Sequence, residues 1–253
     1  IGPWNQELLD TLAFEFQASG WNVKQLLKRI VLSETFAAQS CAIRGADPRR
    51  RLSAEALRDQ ALFHSGLMVE KLGGPSVKPY QPAGLWKEKS GQVYTADTGV
   101  GLYRRSLYTY WKLTSPPPSM LLLDAAKRDD CSVQRPETST PLQALVFWND
   151  PQYVEASRVL ASVILNQELS QPERIERIFR KLTSRRPNLA ESQAIAGLLQ
   201  QAQTDYAADL DAAQALLAVG ASELNADLDP AALAGWTVVI STLFSHHGVI
   251  SLP

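Results

Sequence analysis

Helix-opening signals of one kind recur through the carboxy-terminal half of this chain, and they leave little room for anything but a helical fold. Thr140-Pro141-Leu142-Gln143 sets an N-cap threonine before a proline at the first helical position, with a glutamine placed to return a hydrogen bond to the cap. Asp150-Pro151 opens the next helix by the same logic and sends Val154, Val159, Val163 and Ile164 inward. Ser170-Gln171-Pro172-Glu173 precedes RIERIFRKL, and Asn188 with Glu191 precedes a long Ala/Leu/Gln-rich helix. Asp229-Pro230 opens a last one, AALAGWTVVISTLF. Each cap oxygen satisfies backbone N–H groups that a first helical turn leaves unpaired. They are recurring cap solutions rather than recurring units, and no internal repeat accompanies them.

The amino-terminal end is helical by periodicity. NQELLDTLAFEFQASGW places Leu8, Leu9, Leu12, Ala13 and Phe16 at helical spacing and stops at Ser19-Gly20. VKQLLKRIVLSETF follows with an apolar stripe of Val23, Leu26, Leu27, Ile30 and Val31, and Lys24, Lys28 and Arg29 lie largely off it. The two are expected to form a helical hairpin. After an Arg-rich turn at Asp47 to Arg51, Ser53 is placed to cap a third helix, predicted to run to Leu72 and to close on Gly73-Gly74.

Residues 73 to 141 differ in kind: they hold eight of the 15 prolines, six glycines, five of the seven tyrosines, and Trp86 and Trp111. Long regular helices are not expected there, apart from one near Tyr103 to Lys112. Pro116-Pro117-Pro118 is expected to be extended, because each proline fixes its own φ and pushes its predecessor out of the helical region. A loop-rich insert of this length inside a helical protein is functional or packed around the core.

At 253 residues one unit can bury roughly 70 to 75% of its unfolded surface, enough for a core without staples. A net charge of −1 removes the overall attraction on which nucleic-acid binding depends, so no nucleic-acid partner is expected. The charge is uneven: all 25 Lys and Arg lie in residues 1 to 186, while residues 187 to 253 hold seven acids, read as a solvated helix face. Cys41 and Cys131 form neither a disulfide framework nor a C-x-x-C-H haem attachment. There is no apolar run of about 20 residues, so no membrane span is expected. The chain opens at Ile1 without methionine, which points to a natural amino-terminal portion outside it.

Few residues carry recognisable chemistry. His64, His246 and His247 with two separated cysteines do not make a metal site, since neighbours on a helix point about 100° apart; no metal is expected. There is no G-x-S-x-G elbow, and Gly73-Gly74 and Gly99-Val100-Gly101 lack the lysine and context of a phosphate loop. Met120 and Cys131 are read as packing residues rather than haem ligands. What remains is the middle segment, where Tyr80, Trp86, Tyr103, Tyr108, Tyr110 and Trp111 offer flat apolar faces with polar edges. Arg104, Arg105 and Arg135 offer donor forks suited to carboxylate or sulfate. An anionic polysaccharide is the ligand such groups fit. The competing reading has the aromatics plugging the insert onto the helices, with the arginines paired to Asp124, Asp129 or Glu137.

The strings GGPSVKPYQPAGLW (73 to 86), LYRRSLYTYWKLTSPPPSMLLLDA (102 to 125) and ETSTPLQALVFWNDPQYVEA (137 to 156) resemble the signature blocks of domain-of-unknown-function family 1553, common in planctomycetes. The opening helices and FRKLTSRRPNLAE near residue 179 are similar as well, with a shortened turn around Asp47 to Leu52. The resemblance implies the carboxy-terminal module of a large exported protein, periplasmic or otherwise extracytoplasmic. In such proteins the module follows another uncharacterised domain, often with a cytochrome c-like domain, and is linked to polysaccharide use. It supplies no catalytic residues. Any haem belongs to a missing amino-terminal domain, and no cofactor is expected in this chain.

The fold expected is all-α or predominantly α, one module over 1–253 with amino-terminal helices at 1–72, an irregular aromatic and Pro-rich segment at 73–140 and carboxy-terminal helices at 141–253. The function expected is an accessory or binding module whose partners are the preceding domain and anionic polysaccharide. The alternatives are an enzyme component, oxidoreductase or carbohydrate-active through acids such as Asp97, Asp124 or Glu137, and a purely structural interface.

Overall fold

The computed structural model describes residues 5–37, 51–129, 131 and 135–251, leaving the turn at 47–50 and Cys41 outside the described residues. Contacts divide the chain at Arg50/Arg51 into two units, residues 1–50 with Pro253, and residues 51–252. Helices dominate both, and among the described residues β structure is limited to isolated bridges.

The first unit is the expected hairpin. Asn5 caps α1 (Gln6–Ala18) through Leu8 N–H, and Asn22 caps α2 (Val23–Val31) through Gln25 N–H. The run to Phe36 is not one helix. It breaks after Val31, and Ser33 turns its hydroxyl to Phe36 N–H to open a short α3 (Glu34–Ala37). Serine favours such local bonds over helix continuation. Phe16 packs edge-on against Trp21, and Arg29 pairs with Glu15 across the hairpin.

In the second unit Ser53 caps α4 (Ala54–Ser65), which ends earlier than predicted. Gly66 takes φ 82°, a left-handed stop, and residues 66–72 run on as irregular chain. The middle segment contains α5 (Leu85–Ser90), two 3-10 turns at Gly99–Tyr103 and Ser106–Tyr108, and α6 (Pro118–Leu122). The helix expected near Tyr103 to Lys112 is therefore only those short turns. Pro118 is the first residue of α6 rather than the end of an extended run, because a proline at that place loses no helical hydrogen bond.

The carboxy-terminal helices are α7 (Pro141–Asn149), α8 (Pro151–Leu165), α9 (Gln171–Thr183), α10 (Leu189–Ala208), α11 (Leu210–Leu217), α12 (Pro230–Phe244) and α13 (His247–Ile250). Five open at the expected caps, whereas the long helix expected after Asn188 breaks at Asp209, which caps α11, and α13 opens at His246. Capping boxes form at Thr140/Gln143, Ser170/Glu173 and Asn188/Glu191. The core is built around α12, which packs on α8 and α10 and also touches α7, α9 and α11. Both α8 and α12 are buried on almost every side, as central helices must be. Their approach uses small residues: Ser241 donates to Ser157 at 3.1 Å, with Ala156, Ala161 and Ala234 fully buried nearby in the same cluster. The result is the all-α helical bundle with an irregular middle segment that the sequence pattern specifies.

Candidate functional site

The middle segment is pinned to the bundle by arginines that read backbone carbonyls. Arg58, on α4 and 4% exposed, donates from Nη1 to Arg104 O (2.8 Å) and Ser106 Oγ (3.2 Å), and from Nη2 to Leu102 O (2.9 Å). Its Nε reaches Gln152 Oε1 on α8. Beside it, Asp59 accepts from Ser106 N–H at 2.7 Å. A buried guanidinium with several acceptors is held in one geometry, because releasing any of them leaves a desolvated polar atom unpaired.

Arg104 repeats the device one layer out. Also 4% exposed, it donates to Pro75 O (2.9 Å), Lys71 O (2.9 Å) and Gly73 O (2.5 Å) and lies 3.8 Å over the Tyr108 ring. The Tyr108 hydroxyl in turn accepts from Gly73 N–H at 2.8 Å. Parallel pairing ties the two runs together, with Val77 N–H on Tyr108 O (2.8 Å) and Tyr110 N–H on Val77 O (2.7 Å).

Trp86 is 5% exposed and sits edge-on to Tyr94 at 4.9 Å, with Tyr110 at 5.9 Å. The Lys112 ammonium lies 4.3 Å over its ring and is fixed by Ser90 Oγ and Gln92 Oε1. Trp111 donates to Lys127 O at 2.8 Å and carries the Arg128 guanidinium at 4.6 Å. Tyr80 leaves this group altogether, accepting from Ala221 N–H at 2.8 Å. Arg135 pairs with Glu55 of α4 at 2.9 Å. Arg105 is exposed; its carbonyl accepts from Tyr108 N–H at 2.9 Å, and its guanidinium has no hydrogen bond or ion pair among the described residues.

The seven candidate residues thus fall into separate arrangements. Arg104 and Tyr108 are together; Trp86, Trp111, Tyr80 and Arg135 each belong to a different local contact, and Arg105 faces outward. Two of the three acids considered for chemistry are also occupied, and Glu137 is exposed. Asp97 accepts from Lys78 N–H at 2.8 Å, and Asp124 accepts from Thr138 N–H at 2.8 Å. Met120 is buried in the core and Cys131 is exposed with a free thiol. His64 is half-buried against Phe63, and His246 caps α13 by accepting from Gly248 N–H at 3.1 Å.

A polar cluster that the sequence reading missed lies behind Tyr80. Glu155, fully buried on α8, accepts from the Tyr103 hydroxyl (2.8 Å) and from Ala221 and Ser222 N–H (2.8 and 2.6 Å). One turn on, Arg158 donates to Ser222 O (2.8 Å) and Glu223 O (3.1 Å). Together the two side chains grip both polarities of the α11–α12 connection. Burial and the Glu155 carboxylate push the Tyr103 hydroxyl well above the ordinary tyrosine range, so it stays a donor at any physiological pH. The only sequence signal for this cluster is that Glu155 and Arg158 fall among apolar inward positions of α8.

A groove of about 460 Å³ beside the segment is lined by Pro82, Pro118, Leu122, Leu142, Leu145 and Pro151 among others. Among the described residues no group of three or more His, Cys, Asp or Glu is gathered as a metal site, and no helix is long and apolar enough to cross a membrane.

Fold and site together define an all-α module whose irregular middle segment is clamped to a helical bundle. The family model described as "Protein of unknown function (DUF1553)" matches residues 2–199, and the chain belongs to that family. No curated protein and no solved structure matches it.

Proposed function

We propose that this chain is an accessory module of a larger exported, cytochrome-associated protein, and that its middle segment is the face on which a neighbouring domain packs. The observation behind this reading is the contrast along one short stretch. Arg104 is locked inside, while Leu107, three residues on, is 75% exposed, and Val100 and Leu113 of the same segment are exposed as well. A rigid backbone carrying outward apolar side chains is what a protein partner needs, since little ordering entropy is lost when it docks. Haem, in this reading, sits in that neighbour. Replacing Leu107 and Leu113 by Asp in the longer protein is expected to loosen the domains, seen as faster proteolysis between them. An unchanged cleavage rate sinks the reading.

Arg105 favours a second contact in the same module, with anionic polysaccharide, because its guanidinium is exposed and unclaimed among the described residues. Arg105→Ala is expected to weaken retention on a sulfated-glycan column with the thermal midpoint unchanged. Equal retention removes that arginine as a ligand contact.

A further inference from the structure

The α1–α2 hairpin has no buried residue in either helix. Large apolar side chains stand open along it, with Phe14 72%, Trp21 64% and Leu27 55% exposed, and Leu8, Leu9, Val23 and Val31 also exposed. Helices of 13 and nine residues are marginal in water without a packed apolar face. Taken by itself the hairpin therefore lacks a cover, and its charge says which kind suits it.

Every charged residue of α1 is acidic, namely Glu7, Asp10 and Glu15, and every charged residue of α2 is basic, namely Lys24, Lys28 and Arg29. Only Arg29 and Glu15 are paired with each other among the described residues. One arm of the hairpin is thus the electrostatic complement of the other. A two-fold axis laid across the hairpin sets α1 of one copy against α2 of the next, and the same contact repeats by symmetry. Opposite charge meets at both contacts, whereas an anionic lipid surface would be repelled by α1 and a basic partner by α2. We infer that this hairpin pairs with the hairpin of a second copy of the chain, forming a four-helix bundle with α1 opposite the partner subunit's α2.

The test is the mass of the full 253-residue chain in solution by light scattering after gel filtration, across a dilution series. A dimer is expected for the natural sequence, dissociating several-fold more readily as salt is raised, because the complementary arms are screened. The pair Lys24→Glu and Lys28→Glu should weaken the dimer at least tenfold, as should Glu7→Lys with Asp10→Lys. An equimolar mixture of the two charge-reversed chains should recover the dimer, which loss of folding cannot do. A monomer at every concentration overturns the inference, whether or not that monomer sediments with anionic vesicles. Dimers indifferent to both reversals, or a mixture that stays monomeric, overturn it equally.

Discussion

Arg104 and Arg105 are adjacent and chemically identical, yet one is a buried clamp and the other an open guanidinium. The difference comes from the backbone: Arg104 adopts an extended conformation between two 3-10 turns, so its side chain and that of Arg105 leave on different sides. No periodicity in the sequence encodes this, because irregular chain has no repeat from which to read direction. Arg58 is the residue on which the clamp depends. Arg58→Met strips partners from Arg104 O and Leu102 O, and a loss of about 2 to 4 kcal/mol in urea unfolding is expected. A loss under about 1 kcal/mol would mean that the carbonyls find other donors.

Charge at a single residue also sets an acid limit. The Arg185 guanidinium, bonding to Glu191 at 2.6 and 2.8 Å, holds that carboxyl down at about 2, below its unfolded value of about 4.3. A depressed carboxyl stabilises the fold fully above the unfolded value and loses that contribution as pH falls from there toward 2. Urea midpoints measured between pH 5 and pH 2 should therefore fall more steeply for the natural chain than for Glu191→Gln. Parallel curves would show that the pair does not couple to folding.

Element starts were legible and element ends were not. Caps such as Thr140 and Ser170 act through bonds within four residues, so the sequence alone specifies them. The early stop of α4 at Gly66 and the break after Val31 depend on competing local bonds that a long apolar stripe hides. Two glycines test how the helices meet. At Gly235 on α12 an added methyl would come within 2.7 Å of Gln203 Cγ on α10, so Gly235→Ala should cost about 1 to 3 kcal/mol. Gly197, inside α10, has open space around it, and Gly197→Ala should stabilise by roughly 0.5 to 1 kcal/mol. Thermal midpoints of the two variants moving in the same direction would contradict the α10–α12 approach.

Across the whole molecule, the helical class and the irregular 73–141 insert could be read from composition and caps, whereas the fate of the candidate site residues could not. Trp86 is covered by Tyr94 and Tyr110 and the Arg104 side chain is held by carbonyls about 30 positions earlier, while Glu155 binds residues more than 60 positions away. Any activity of the middle segment requires that it be held, not tethered. Hydrogen exchange of the Val77, Asp97, Ser106 and Tyr110 amides measures this directly, since each donates within the clamp. Exchange slowed to the range of the α8 amides is expected, falling away in Arg58→Met. Exchange at the rate of an unstructured peptide in the natural chain would contradict a pinned segment.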